Sequence, residues 1–499
     1  MQKLVLAALW LVLGCAAAFA RPFTVVAYNV ENLFDLDGKA GFDDYLPPNY
    51  TRAHVLTKLQ NTARVIARFE DGRGPDVLIL NELEVDLTPA ATPVDVPAVL
   101  KRYANMRLEE MLGARFDAAI ADLPSEVLLA KALADLGMAD YRVVVGDNGT
   151  EAEAGRRLEQ KNAVFTRLPV RAVRSHPTTN ARAILEVELE LEGARFYVFA
   201  NHWKSGASDL ATEPTRMANA QTLRKRLDVI LAADPNADII LGGDFNSQYN
   251  QKQRYPAMKT TALNDVLRSR GNELAIRDEP RDLYNLWYEL PAPERGSDVF
   301  RGEWGTLMHL IISRGLYDYR GVQYIDNSFG VGKFSGLNAD AMGLPVRWSF
   351  DVPAGRGFSD HFPVFARFTV VKDGRADRTL ALKKPSVEVG GPVPDVKIGY
   401  ARLDLEKLAV KAGEIPAGTS IRSDAYQGKI FRVEGVVVPS SRLGVVFRGE
   451  TYDVWSHDEA LRNRLRAAHP EGSTLRFYGE LGAFRGRWQF VIQDPSWVK

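Results

Sequence analysis

The chain has 499 residues, 46% of them hydrophobic and 25% charged, which is the balance of an ordinary globular protein and too long for one average domain. Lys plus Arg equals Asp plus Glu at 63 each, which excludes a global basic field of the kind that gathers polyanions, so any nucleic-acid surface must be local. Cys15 is the only cysteine, which excludes a disulfide framework and leaves stability to a large core.

In chain order, the first element is "MQKLVLAALWLVLGCAAAFARPF", with Lys3, an apolar run from Leu4 to Leu13 and "AFA" before Arg21. This reads as a secretory signal over residues 1–20, too short to be a permanent membrane anchor. "VLGC" also resembles a lipoprotein cleavage box, but strand-like "FTVVAYNV" follows almost at once and leaves little tether, which favours soluble export to the periplasm or medium over lipidation at Cys15. Strand patterns then recur as "FTVVAYNV", "DVLILNEL", "YRVVVGD", "NAVFTR", "AILEVELEL", "RFYVFANHW", "DIILGGDF", "LMHLIISR" and "FPVFARFTVV", with helical patterns "RAHVLTKLQNTARVIARF" and "TRMANAQTLRKRLDVILAA" between them. The stretch from Pro89 to Asp140 reads as a helical insertion able to wall one side of a site. Together these predict an α/β sandwich of mixed sheets with helices outside, over residues 21–372.

Residues 373–396 are charged, contain Pro and Gly and lack periodicity, and so read as a linker. Residues 397–499 alternate strands with one late helix, "DEALRNRLRAA", and predict a small β-barrel resembling an OB-fold. Such barrels bind single strands or oligosaccharides through basic and aromatic groove residues. Arg485, Arg487 and Trp488 in "FRGRWQF" are the candidates for an exposed binding hairpin, although Phe and Trp at alternate positions more often fill a core.

The chemistry gathers where apolar strands stop. Asn29 and Glu31 end the first, Asn81 and Glu82 the next, Asn201 and His202 follow "YVFA", Asp244 and Asn246 follow "DIILGG", and Ser359, Asp360 and His361 precede "FPVF". Asp and Asn are ordinary turn residues, yet carboxylates and imidazoles repeatedly left at a core's edge cost free energy unless they are paired or hold a metal. Carboxylates with isolated histidines and no thiolate suit a hard cation, Mg²⁺ first and Mn²⁺ or Ca²⁺ as alternatives. Glu82, with Glu31 and Asp360, is the predicted ligand set. Asn29 and Asn246 are neutral donors for a phosphoryl oxygen, His361 or His202 an acid or base, and Arg182 a further substrate-binding cation. Metal-assisted phosphoester hydrolysis is the chemistry these residues fit.

In this order, "AYNVENLF", "LILNELE", "ANHWKS", "GGDFNS" and "FSDHFP" resemble the motif series of the endonuclease/exonuclease/phosphatase superfamily. The resemblance runs over roughly Arg21 to Lys372 and implies a four-layered sandwich. It implies that Glu82 is the principal metal glutamate, that Asp244 orients water, that Asn246 binds phosphate, that Asp360 and His361 close the site, and that Asp147 is an acidic partner of His202. Two positions depart from the pattern. Asn81 stands where Gln is usual. Met308 in "GTLMHLIISRGL" stands where an Asp normally orients the last histidine, so that either another carboxylate substitutes or activity falls. The neighbouring His309 reads as structural. The leading expectation is an exported, monomeric nuclease. The alternatives are a phosphoesterase acting on lipid or inositol phosphates and a degenerate nucleic-acid-binding module.

Overall fold

The structure is a computed structural model and describes residues 21–86, 94–148, 158–271, 279–350, 352–371, 393–423, 426–440, 442–484 and 486–499. The predicted signal segment, most of the predicted linker and Arg485 lie outside the described residues.

The strands are β1 (Phe23–Leu33), β2 (Val77–Glu84), β3 (Arg142–Val145), β4 (Gln160–Thr166), β5 (Val170–Thr178), β6 (Ala181–Leu191), β7 (Ala194–His202) and β8 (Ile239–Asp244). They continue as β9 (Ser269–Arg270), β10 (Leu283–Asn285), β11 (Asp298–Phe300), β12 (Glu303–Gly305), β13 (Met308–Ile312), β14 (Gly321–Tyr324), β15 (Gly330–Val331) and β16 (Val364–Val371). The helices that matter here are α1 (Arg52–Ile66), α2 (Val96–Arg102), α3 (Leu108–Leu112), α4 (Ala118–Ala121), α5 (Ser125–Asp135) and α6 (Glu213–Ala233).

Two seven-stranded mixed sheets carry the fold. One runs β14-β16-β1-β2-β4-β3 with β15 on β16, and the other runs β5-β6-β7-β8-β13-β10-β9. β1 and β2 are parallel, as are β7 and β8, while their outer neighbours are antiparallel. One core joins the sheets: Val25, Ala27 and Ile79 from the first meet Val187, Val198, Ile240 and Leu310 from the second. Burial on both faces explains why β1, β2 and β8 read as continuous apolar runs rather than as alternation. On the far face of the first sheet, α1 buries Val55, Leu59, Ala63 and Ile66 in a core shared with Leu78, Leu80 and α2 to α5. That is where the predicted helical insertion packs. On the far face of the second sheet, α6 buries Leu223, Leu227 and Ile230 against Phe199, Leu241 and Ile311.

Gly242 and Gly243 are required by this packing. A Cβ on Gly242 would lie 2.4 Å from Ile79 Cδ1 on the opposing sheet. Gly243, at φ +121°, would place its Cβ 2.1 Å from the Asn201 carbonyl oxygen. The double glycine thus lets β8 approach both its sheet neighbour and the other sheet just before Asp244.

The C-terminal strands β17 (Ile430–Pro439), β18 (Leu443–Phe447), β19 (Glu450–Trp455), β20 (Thr474–Phe484) and β21 (Arg487–Val491) close into a barrel in the order β17-β18-β19-β21-β20. Its own core holds Val433, Val445, Tyr452, Phe477, Phe490 and Trp497. A helix over Glu459–Ala468 sits between the third and fourth strands, as its amphipathic pattern predicts. Among the described residues, no helix is long and apolar enough to cross a membrane.

Candidate active site

The site forms where β1, β2, β7 and β8 end together. Register slips between Asn29 and Leu33 on β1 and between Leu80 and Leu83 on β2 interrupt the ladder at this end. Within them Glu31 (φ 50°), Asn32 (φ 59°) and Glu82 (φ 66°) adopt left-handed backbone, as does Asn246 (φ 46°) after β8. Non-glycine residues enter this region at a cost of about 1–3 kcal/mol each. Here the bulges break the alternation of the pleat at Glu31 and Glu82 and re-aim their side chains at the strand ends.

Asn29 Nδ2 donates to Glu82 Oε1 at 2.9 Å and to Asp244 Oδ2 at 3.1 Å, which ties β1, β2 and β8 together. The Asn32 N–H donates to Glu82 Oε2 at 3.0 Å. Asn81 lies behind them, fully buried: its Oδ1 accepts the Asp244 N–H at 3.0 Å, while its Nδ2 donates to Asn162 Oδ1 and the Asn201 carbonyl at 2.7 and 2.9 Å. The departure from Gln at this position therefore still yields a residue that fixes the strand ends. Asn246 donates its N–H to Asp244 Oδ1 at 2.8 Å and its Nδ2 to the Trp203 carbonyl at 3.1 Å. On the closing loop, Ser359 Oγ donates to the Asn29 carbonyl at 2.7 Å and accepts the His361 N–H at 3.1 Å.

Both imidazoles face Asp244. His202 Nε2 lies 3.7 Å from Asp244 Oδ2 and 3.7 Å from Glu82 Oε1, and His361 Nε2 lies 3.8 Å from Asp244 Oδ2 and 3.6 Å from Asp360 Oδ1. Their environments push their basicities apart. Burial, the nearby Arg182 and His361 hold His202 well below the usual imidazole range. For His361 burial also opposes charge, but Asp360, Asp244 and Asp298 outweigh it and push it up to about 9. One imidazole is kept neutral and the other cationic at neutral pH, which is how a fold separates acid and base roles. Burial raises the Asp244 carboxyl to about 6. Burial and the Asp360 charge raise Glu31 to about 7.

Glu82, His202 and Asp244 offer ligand atoms that all lie within 4.8 Å of one another. Two carboxylates and a neutral imidazole are a donor set that a hard divalent cation fits. Of the predicted ligand set, only Glu82 belongs to this cluster. Glu31 and Asp360 are gathered around Arg347 instead, at 3.3 and 3.8 Å, and the Trp348 N–H donates to Glu31 Oε2 at 2.8 Å. A guanidinium compensates that pair.

Other predicted residues fall as follows. Arg182 reaches the site: it donates to Gln160 Oε1, Gln160 donates to Asn32 Oδ1, and its charge is felt by Glu82, Asp244 and His202. Asp147 is not placed against His202. It is exposed past the end of β3 with its N–H on Ser175 Oγ at 2.9 Å, while His202 Nδ1 is buried without a hydrogen-bond partner. His309 is structural, as expected, with Nε2 2.8 Å from the Ser247 carbonyl oxygen and Nδ1 3.0 Å from Asn285 Nδ2. On the barrel, Arg487 donates to Asp453 Oδ1 at 2.8 Å and Ser440 Oγ at 3.1 Å, and Trp488 packs on the barrel core. The expected exposed hairpin is thus partly committed to the barrel itself.

Three residues were missed. Lys58 of α1 is fully buried, donates from Nζ to the Phe358 carbonyl at 2.8 Å and is held down to about 8 by burial, with Glu31, Asp360 and Glu82 opposing. Arg347 lies in an irregular loop, and neither it nor Lys58 carried a pattern signal. The third is Asp298 of β11. Its backbone pairs with His361 in an isolated bridge, and the Phe362 N–H donates to the Ser297 carbonyl at 2.6 Å. Asp298 Oδ1 accepts from Ser297 Oγ at 2.9 Å and from the Leu307 N–H at 3.1 Å. A Cβ at Gly305 would lie 2.0 Å from Asp298 Oδ2, so the glycine makes room for this carboxylate. Met308, where the acid is expected, is buried in the core between the sheets.

No curated protein matches this chain. Among solved structures the chain is similar to TDP2 from C. elegans (14% identity, 70% of this chain and 75% of that one, TM-score 0.37). It is likewise similar to an endonuclease/exonuclease/phosphatase family protein from Leptotrichia buccalis (15%, 69% and 99%, TM-score 0.37) and to the human Nocturnin catalytic domain with bound sulfate (16%, 70% and 94%, TM-score 0.35). Residues 136–370, which carry His202, Asp244, Asn246, Asp360 and His361 but not Asn29 or Glu82, match the Endonuclease/Exonuclease/phosphatase family.

Proposed function

We propose that this protein is an exported, divalent-metal-dependent phosphodiesterase, a nuclease acting on DNA or RNA, with a catalytic unit over residues 21–372 layered α/β/β/α and an OB-fold-like unit over 397–499. The observation that carries the reading is the convergence of Asn29, Glu82, His202, Asp244, Asn246 and His361 at one set of strand ends, with the two imidazoles driven to opposite protonation states.

A divalent cation held by Glu82 and Asp244, with His202 beside them, would supply charge neutralisation at a phosphoryl group. The chain's own residues do the rest. Asp244 orients the attacking water, and its position is locked by hydrogen bonds from Asn29 Nδ2 and the Asn246 N–H to its carboxylate and from its own N–H to Asn81 Oδ1. Asn246, with one Nδ2 hydrogen on the Trp203 carbonyl and one to spare, brings a neutral amide donor to a phosphoryl oxygen, while Asn29 commits both of its amide hydrogens to Glu82 and Asp244. His361, cationic and buried beside Asp244, Asp360 and Asp298, stabilises the developing negative charge or delivers a proton to the leaving oxygen. Arg182 adds a positive charge on the His202 side. Asp298 supplies part of the charge that position 308 does not, by holding a carboxylate on the strand bridged to His361.

The test is hydrolysis of plasmid and single-stranded DNA and of RNA by the purified mature chain, with Mg²⁺ or with EDTA, beside His361→Ala. Metal-dependent cleavage lost in the variant is the expected result. Turnover of a lipid or inositol phosphate with no nucleic-acid cleavage would replace the substrate class. Inactivity on all of them would leave a binding module.

A further inference from the structure

On one outer face of the barrel, arginines and aromatic rings are interleaved by contact. Tyr452 and Val454 of β19 and Phe490 of β21 belong to the barrel core, so Asp453, Trp455, Arg487 and Gln489, which alternate with them, face outward. The strand register sets Gly444, Asp453, Gln489 and Gly482 in one row across β18, β19, β21 and β20. With glycine at both ends the row carries only two side chains, and a Cβ at Gly482 would meet nothing within 4 Å.

Arg442, just before β18, reaches this row. Its Cζ lies 4.4 Å from the centre of the Trp455 ring and 5.4 Å from that of Phe484, and its Nη1 donates to Gln489 Oε1 at 3.0 Å. Arg462, on the helix over Glu459–Ala468, places its Cζ 4.4 Å from the same Trp455 ring and donates from Nη1 to the Ser456 carbonyl at 2.6 Å. Phe484 is 47% exposed. The carboxylate of the row, Asp453, is matched by Arg487 at 2.8 Å. Among the described residues, no carboxylate pairs with Arg442 or Arg462. A guanidinium stacked on an indole is held in orientation and weakly hydrated, and its edge stays open to an anion.

The barrel is also tied to the catalytic unit. The Trp304 N–H of β12 donates to the Val396 carbonyl at 2.8 Å and the Ile398 N–H to the Gly302 carbonyl at 2.9 Å, while β11 of the same ribbon is bridged to His361. Whatever the barrel holds is thereby kept in fixed register with the element that carries His361. We propose that the face formed by Arg442, Trp455, Arg462 and Phe484 binds the single-stranded form of a nucleic-acid substrate, with Arg442 and Arg462 on phosphates and Phe484 against a base. The nature of the occupant rests on the nuclease reading. A single strand offers both phosphates and unstacked base faces to such a surface, whereas a duplex keeps its base faces inside. Arg487 and Trp488, expected from sequence to lead this contact, instead hold Asp453 and the barrel core.

The experiment is fluorescence anisotropy of a labelled oligothymidylate and of a duplex of the same length with the full mature chain in EDTA, which reads binding without turnover. It is run on the parent, on Phe484→Ala, Phe484→Tyr and Arg442→Ala/Arg462→Ala, and on Asn246→Ala at the candidate active site, with melting temperatures as the check on folding. The expected result is tighter binding of the single strand than of the duplex. Phe484→Ala should weaken it by about 5- to 150-fold and Phe484→Tyr restore it. The arginine variant should make the dependence of log K on log salt shallower by about 1.4, for two phosphates released. If the arginine variant does not fold, the two Phe484 variants, altered at an exposed ring, decide alone. A parent that does not bind the oligothymidylate, a preference for the duplex, or an affinity moved by Asn246→Ala but not by Phe484→Ala would overturn the proposal. Binding as expected without cleavage of any nucleic acid would sink the nuclease reading alone, and cleavage with unchanged binding in Phe484→Ala would sink this proposal alone.

Discussion

Asp298→Asn tests how the site replaces the acid absent at position 308. The substitution keeps size and removes one charge from beside His361. Two unit charges about 4 Å apart at an effective dielectric constant of about 20 interact by about 4 kcal/mol and by less when farther apart, and loss of an outer carboxylate that supports a catalytic group costs about 10- to 100-fold. Asp298 is third among the carboxylates that raise His361, after Asp360 and Asp244, so a partial effect is expected. The prediction is a kcat lower by about 10- to 100-fold, with the alkaline limb of the pH profile moved down by about one unit. The sign follows from His361 needing its proton: a lower pKa loses that proton at lower pH. Met308→Asp added to Asp298→Asn should recover part of the loss, and the interaction between the two changes is read from a double-mutant cycle. Steady-state kinetics from pH 5 to 10, with melting temperatures to separate folding from chemistry, is the assay. An Asp298→Asn enzyme with unchanged kcat and unchanged alkaline limb would refute the assignment.

For the parent enzyme, activity should rise as Asp244 ionises, with a limb at or below about 6, and fall as His361 deprotonates near 9; a profile flat across that range would contradict the paired roles. Gly243→Ala should destabilise by more than about 2 kcal/mol in denaturant melts, because a Cβ would lie 2.1 Å from the Asn201 carbonyl at φ +121°. A cost below about 0.5 kcal/mol would show that β8 can shift. Glu186, 0% exposed, binds Arg226 through two hydrogen bonds of 2.7 Å, with Arg174 and His176 at 2.8 and 2.7 Å, so Glu186→Gln should cost about 3–5 kcal/mol. Burial opposes ionisation of Glu186, but the His176 and Arg226 hydrogen bonds win and lower it to about 2. Its contribution is therefore fully present above its unfolded value of about 4.3 and is lost as pH falls toward 2, which chemical denaturation at pH 7, 4 and 2.5 measures.

Much of this protein was legible because its strands are buried on both faces. Runs such as those of β1, β2 and β8 can only be central strands of a covered sheet, and polar residues that end such runs must lie at the sheet's rim; that located Asn29, Glu82, His202, Asp244 and His361 without coordinates. The barrel was equally readable, because its alternation and late helix leave few other ways to bury Phe477, Phe490 and Trp497. What stayed hidden depends on distance across the fold. Whether Glu31 faces a metal or Arg347 is decided 316 residues away by a loop with no periodicity. Lys58 looks like any polar position on an amphipathic helix until α1 is laid over the site. That His202 Nδ1 is buried without a hydrogen-bond partner, rather than bonded to Asp147, is likewise invisible in motif order. The nearness of the Asp298 carboxylate to His361 exists only because an isolated bridge sets β11 beside His361, and Gly305 leaves room for the carboxylate. Sequence determined which strands are buried and which groups they carry to their ends, since burial and periodicity are local; tertiary structure alone decided which charges meet, since that depends on how separate elements dock.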